Sequence, residues 1–249
     1  MIVYLAGEAY GKRVFEDADY KFNRLDSFWY VKDNEHGRQS IPKYDRYILD
    51  SGAFTFIMSK SDMGVDIDSF TDQYIDFINE HKIDLFFEMD VDAVFGYDKV
   101  LQLRKRIEKG TGKQCIPVYH MDRGIEDWRR MCDEYDYVSI GIAGKDVGWA
   151  DAKAFYRFVN DAANKGVKVH GLGITGMRSL KEVPFHSVDS SAWTAGNRYK
   201  TIFHFDGTQC RSLQKDLSDL VIHDQFALAK HNFTQWNLFS KSMESKRLV

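Results

Sequence analysis

Several short apolar runs in this sequence end on a carboxylate. Glu8 follows residues 2–5, Asp50 follows Tyr47-Ile-Leu, Asp90 and Asp92 follow Leu85-Phe-Phe, and Asp189 follows Val188. Other runs end on His120, on His170 and on the loop Gly141-Ile142-Ala143-Gly144. If the runs are parallel strands of one sheet, these groups meet at a common rim, where α/β barrels and open sheets place their chemistry. Taken singly, each has a plain structural use: a strand-end Asp braces a loop, and a lone His packs in a core. Three or more carboxylates at one rim need a ligand or shared protons, because clustered like charges oppose one another's ionisation. Two chemistries suit such a rim. One is glycosidic-bond chemistry, with one carboxylate as nucleophile and another as acid/base. The other is divalent-metal catalysis with Asp90 and Asp92 as oxygen ligands.

The elements that must position these groups are legible as alternating patterns. Residues 2–5 and 47–49 are β-formers without polar alternation, as in strands buried on both faces. Further strands are expected at 84–92, 115–119, 137–140, 167–170, 185–188 and 201–205. In the run 84–92, Glu88, Asp90 and Asp92 are spaced by two and so are expected on one face. Helices are expected from Asp66 or Asp68 onward, where a carboxylate caps the stripe Phe70, Tyr74, Phe77 and Ile78, and at 100–109, which has a basic surface. Others are expected at 150–165, at 177–182 and over 214–245. Residues 9–45 read as an irregular aromatic-rich insertion, and 212–249 as a C-terminal helical segment. Eight strand candidates alternating with helices predict a single (β/α)₈ barrel domain over 1–249, with an open doubly wound sheet as the alternative. The glycine pairs at 141–144 and 171–173 form neither a dinucleotide fingerprint nor a phosphate loop.

The bulk numbers set limits. The chain has 249 residues, with 34 basic and 37 acidic side chains and a formal charge of −3, so no general attraction to nucleic acid is encoded. Cys115, Cys132 and Cys210 form no close pair, which argues against a disulfide framework or a thiolate zinc site and fits a reducing, cytoplasmic setting. The first residues are apolar over too short a run for a signal peptide or a membrane span.

With these residues in view, Asp50-Ser-Gly-Ala-Phe54 resembles the Asp-Ser-Gly-Gly-Phe/Tyr motif of the tRNA-guanine transglycosylase (queuine tRNA-ribosyltransferase) family. The later motifs keep the family's order over about residues 46–195. Phe87-Glu-Met-Asp90 is similar to its base-reading strand, Gly141-Ile142-Ala143-Gly144 to its Gly-Gly-Leu-Ala-Val-Gly loop, and His170-Gly171-Leu-Gly173 to its Met-Gly-Val-Gly turn. Asp189 falls where the family keeps its nucleophile. The family's Cys-rich zinc motif is absent, and Ser190-Ser-Ala-Trp193 replaces an Asn/Arg-rich stretch. Both departures resemble the compact DNA-acting relatives, the DpdA-like proteins of phages and bacterial islands.

The resemblance implies a barrel without a zinc subdomain that exchanges guanine in DNA, in a bacterial or phage-infected cytoplasm, for a 7-deazaguanine of the preQ0 type. It implies Asp189 as nucleophile and Asp50 as general base. Asp90 would take the N1–H and amine of the base, the backbone at 141–144 and Gly171 would line the pocket, and Phe54 and His170 would sandwich the ring. His120 stands near a base-binding Gln, and Asp92 either orients Asp90 or shapes the pocket. Lys12, Arg13, Arg178, Lys181, Arg198 and Lys200 are candidates for phosphate contacts or ordinary solvated charges, and Trp193 for the core or for stacking near the nucleotide. The resemblance implies no cofactor and no resident metal, no membrane contact, and either a homodimer or a partner protein. The same exchange on tRNA and a metal-dependent lyase or hydrolase built on Glu88, Asp90 and Asp92 stay open.

Overall fold

The computed structural model describes residues 1–8, 10–59, 66–120, 123–141, 152–174, 176–213 and 224–245, with backbone alone at 54, 59, 152–154, 177–179 and 197–198. Its strands are β1 (Ile2–Leu5), β2 (Asn23–Ser27), β3 (Arg46–Asp50), β4 (Val118–Tyr119), β5 (Tyr137–Gly141), β6 (Lys168–Leu172), β7 (Ser187–Ser190), β8 (Phe203–Phe205) and β9 (Cys210–Ser212). The helices are α1 (Gly11–Asp17), α2 (Phe28–Val31), α3 (Glu35–Ser40), α4 (Ala53–Ser59), α5 (Ile67–Glu80) and α6 (Asp92–Phe95). They continue as α7 (Tyr97–Thr111), α8 (Gly124–Glu134), α9 (Ala152–Asn164), α10 (Met177–Glu182), α11 (Ala195–Tyr199) and α12 (Gln225–Ser245).

Seven strands form one curled parallel sheet in the order β3-β2-β1-β7-β6-β5-β4. Its two edges both reach the segment at 86–87: Leu49 bridges Phe86, and Phe87 bridges Ile116, each in parallel. Four backbone hydrogen bonds of 2.8–3.1 Å accompany those bridges. The buried Tyr74 of α5 donates its hydroxyl to the carbonyls of Leu49 and Phe87, pinning the segment to β3. Ile2, Tyr4, Ala6, Leu25, Ile48, Phe87, Ile116 and Val118 fill one buried cluster on the concave side of the sheet. Val3 and Leu5, on the other face of β1, pack with the aromatic residues of α12 (Phe233, Trp236, Phe239), as alternation along a strand requires.

Three expectations are corrected. The segment 9–45 is not irregular: it contains β2, paired with both β1 and β3. Its sequence, Asn-Arg-Leu-Asp-Ser, hides the strand because its outward face carries a buried ion pair, Arg24 with Asp26, where apolar residues usually stand. Residues 203–205 do not extend the main sheet but pair antiparallel with β9 in a separate hairpin under α12. The run 84–92 is not a strand to its end. Val91 turns out of extended geometry (φ −125°, ψ 12°) and Asp92 opens α6, so Glu88, Asp90 and Asp92 do not share a face.

Most remaining elements agree with their patterns. The strand expected at 115–119, however, is confined to β4, and the helix expected over 214–245 is seen as α12, with 214–223 outside the described residues. Asp66 caps α5 by accepting the Ser69 N–H at 2.9 Å, and α10 spans 177–182 as its sequence predicts. The expected helix at 100–109 lies within α7, but only part of its basic character is on the surface: Arg106 reaches Asp68 and Asp72, whereas Arg104 is buried.

A candidate acidic site at the strand ends

All strands of the main sheet run the same way, so their C-terminal ends share one rim. Asp50 closes β3, Gly141 closes β5, His120 follows β4, Gly173 follows β6, and Asp189 lies near the end of β7. The chain therefore brings together most of the groups that its sequence singles out.

Asp50 sits at a tight turn. Its Oδ2 accepts the Gly52 N–H at 3.0 Å. Gly52 has φ +66°, and a Cβ there would come within 2.5 Å of Ser27 Oγ and 2.8 Å of the Trp29 backbone, so only glycine fits. Burial drives the Asp50 carboxyl up to about 6. The Gly52 N–H pulls against that rise, and the nearby Asp189 and Asp90 carboxylates add to it. Like charges at one rim thus act as expected from their positions.

Asp189 is buried. Its Oδ1 accepts the Gly173 N–H at 2.7 Å and stands 3.2 Å from His170 Nε2. Among the described residues, Oδ2 takes no hydrogen bond. His170 does not offer a face for stacking on a base, which corrects the expected sandwich. Its ring is 0% exposed, with the Phe87 ring edge-on at 5.1 Å and the Tyr4 ring at 6.1 Å. Its Nδ1 is 2.6 Å from Ser187 Oγ, which is itself 2.6 Å from the Tyr137 hydroxyl. Gly171 is buried in β6, where a Cβ would meet Ile174 at 2.9 Å and Phe185 at 3.2 Å, so it serves packing rather than lining the rim.

On the opposite side the groups are charged. Both Asp90 oxygens lie within 2.8–2.9 Å of His120 Nε2. Arg123 holds Asp92 at 2.6 Å and approaches Asp90 at 3.6 Å, so Asp92 acts on Asp90 through that guanidinium. Burial pulls the His120 imidazole down, but the hydrogen bond and charge of Asp90 outweigh it, and the net direction is up. Gly141 is packed against this pair: a Cβ would fall 2.8 Å from His120 Cε1 and 2.9 Å from Val118 Cγ1. Glu88 stands behind, fully buried, accepting Arg104 Nε at 2.6 Å and the Val118 N–H at 2.6 Å. It is a brace between the 86–88 segment, α7 and β4. Asp92, Tyr97, His120, Arg123, Asp127 and Arg130 line a cavity of about 660 Å³ beside the rim.

Asp90, Asp92 and His120 each offer one ligand atom within 4.8 Å of the others, a spacing that suits a divalent cation. The positive charge such an ion would bring is already supplied by Arg123, whose guanidinium bridges the two carboxylates. That bridge disfavours the metal reading.

The other expected residues are dispersed or undescribed. Ile142, Ala143 and Gly144 lie outside the described residues, and the side chains of Phe54, Arg178 and Arg198 are not described. Trp193 is core: it is buried and donates Nε1–H to the Ala6 carbonyl at 2.6 Å. Lys12, Arg13, Lys181 and Lys200 are exposed. Arg13 lies 3.9 Å over the Phe226 ring and Lys181 bonds Gln209, so both have local uses. Sequence reasoning missed Ser187, Tyr137 and Arg123, and gave Gly173 a place only in the turn at 170–173. The spacing of Ser187 two residues before Asp189 on one strand was the available signal, since it places both on one face.

The fold and site define an α/β protein with a curled parallel sheet and an acidic rim at its strand ends. No protein-family model and no curated protein matches the chain. Among solved structures it is similar to QR15, an aldolase, at 12% identity and a TM-score of 0.48, covering 76% of this chain and 89% of that one. A likeness that distant carries no argument about chemistry. Among the described residues no helix is long and apolar enough to cross a membrane.

Proposed function

We propose that this chain is an enzyme that exchanges guanine in DNA for a 7-deazaguanine, through a covalent glycosyl link to Asp189, on a (β/α)₈-type barrel. The barrel reading takes the 86–88 segment as the eighth strand, between β3 and β4; the bridges on both its sides support it. The observation that carries the chemistry is the pairing of Asp189 with Asp50 at one rim. Asp189 has one oxygen held by a backbone N–H and a ring nitrogen and the other without a hydrogen bond among the described residues. Asp50 is pushed up to about 6, where a carboxyl both gives and takes protons near neutrality.

In this reading Asp189 Oδ2 attacks C1′ of a nucleotide turned out of its stack. The glycosidic bond breaks, its electrons pass to the departing guanine nitrogen, and protonated Asp50 delivers a proton there. The entering base loses its ring N–H proton to Asp50. Its nitrogen then attacks C1′ and frees the Asp189 carboxylate. Asp90, shared with His120, receives the donor edge of the base. Phosphate contacts fall to exposed cations such as Lys12 and Lys200.

The test is incorporation of labelled guanine or preQ0 into duplex DNA and into bulk tRNA by wild type and Asp189→Asn. Label in DNA that disappears at least 10⁴-fold in the variant is the expected result, an effect worth about 5.5 kcal/mol in the barrier. Label entering tRNA alone moves the substrate to RNA, and undiminished exchange by Asp189→Asn removes Asp189 as nucleophile.

A further inference from the structure

We propose that Asp189 is aimed by a buried relay of uncharged hydrogen bonds, Tyr137 to Ser187 to His170, and that His170 is a positioning residue for the open carboxylate oxygen. The inference rests on the reading of Asp189 as nucleophile given above.

The relay is built by strand pairing. His170 and Ser187 are cross-strand partners of β6 and β7, Ser187 and Asp189 are two apart on one face of β7, and Tyr137 comes from β5. The proton positions follow once Asp189 is anionic and the ring uncharged. An anionic Asp189 requires His170 Nε2 to donate. In the uncharged chain Ser187 then donates to Nδ1 at 2.6 Å, and Tyr137 donates to Ser187 at 2.6 Å. This fixes the ring as its Nε2–H tautomer without placing a second charge in a site that is 0% exposed at His170 and at Ser187. With the Phe87 and Tyr4 rings against it, the imidazole cannot turn. It therefore holds Asp189 Oδ1 jointly with the Gly173 N–H, and rotation of the carboxylate about its last bond is suppressed. The oxygen left over has no hydrogen-bond partner among the described residues. No proton moves along the relay during the reaction; its work is geometric, and misplacement of a reacting atom by about 1 Å is enough to cost about 10²-fold in rate.

Two measurements test it. The first is the ring nitrogen spectrum of ¹⁵N-histidine-labelled protein at pH 8. A neutral His170 with the proton on Nε2, whose Nδ1 signal moves toward the unbonded position in Ser187→Ala, supports the relay. A ring protonated on Nδ1 overturns it, whatever the protein's activity, so failure of the relay is distinguished from failure of the exchange reaction. The second is steady-state exchange by His170→Phe, Ser187→Ala and Tyr137→Phe. The expected losses in kcat shrink with distance along the relay, from about 10²-fold at His170 to a few-fold at Tyr137, with KM for the entering base within twofold. His170→Gln, whose amide can donate, recovers part of the loss. A raised KM with unchanged kcat overturns the proposal, because it marks His170 as a base-contacting group. Should Ser187→Ala fail to fold, Ser187→Thr, which keeps the hydroxyl, and Tyr137→Phe carry the same comparison.

Discussion

The two walls of the site hold their carboxylates by opposite means. Around Asp189 the supporting groups are a backbone N–H, an imidazole, a serine and a tyrosine, arranged as hydrogen bonds between neighbouring strands. Around Asp90 they are ions: Glu88, Asp92, Arg104 and Arg123, with His120 pushed toward its charged form. The difference teaches how each wall tolerates change. A network of neutral donors fixes direction at modest cost in desolvation. A buried ion network stands only while every partner is present, because the removal of one leaves a charge without water or counter-ion.

The strongest way to break the comparison is therefore at the ionic wall. Arg104→Met leaves the fully buried Glu88 with only the Val118 N–H and, at 3.9 Å, Arg123, and is expected to destabilise the fold by about 3 kcal/mol in urea unfolding. The double change Glu88→Met with Arg104→Met should recover most of that loss. A loss below about 1 kcal/mol for the single change would mean that Glu88 is not held as an ion.

Asp50 stands between the walls and gives the next largest effect. Its folded-state pKa is about 6 against an ordinary 3.8, so the native state holds a proton that the unfolded chain has released. The stability this gives is complete below the unfolded value and is lost as pH rises through 6. Asp50→Asn cannot ionise. Relative to wild type it should gain roughly 1–3 kcal/mol at pH 8 and almost nothing at pH 4, in paired denaturant titrations. An equal effect at both pH values would show that the carboxyl is not desolvated.

The smallest effect sharpens the contrast. Asp90→Asn removes the charge that raises His120, and burial with Arg123 then brings the ring pKa down. Histidine NMR titration reads this directly. The His170 ring signals, belonging to the other wall, should stay in place in the same spectra.

Much of this arrangement is written in the sequence where burial and chemistry coincide. Strands of continuous apolar residues, such as 2–5 and 47–49, and the strand-end Asp50 and Asp189 are readable because apolar runs ending on a carboxylate recur along the chain. β2 is not readable, because Arg24 and Asp26 satisfy each other inside the fold and so imitate a solvated loop. Glu88 misleads in the opposite sense: its spacing with Asp90 and Asp92 suggests a shared face, which only the turn at Val91 dissolves. The Phe-His-Phe of β8 has strand chemistry but no information about which sheet it joins, since pairing is a property of distant partners. Ser187 and Tyr137 are ordinary residue types, and their hydrogen bonds with each other and with His170 become visible only when three strands bring them into line.

The pairing of β1 also sets an order of assembly. The ionic wall draws on β3, the 86–88 segment, α7 and β4, which are close along the chain and can find one another early. β7, which carries Asp189, is flanked on its other side by β1, with Ile2 opposite Ser187, and Ser240 of α12 reaches back 237 residues to Val3. Contacts so remote in sequence carry the larger loop-closure cost. A chain emerging from the ribosome thus presents the ionic wall around Asp90 before the strand that carries Asp189 is in place.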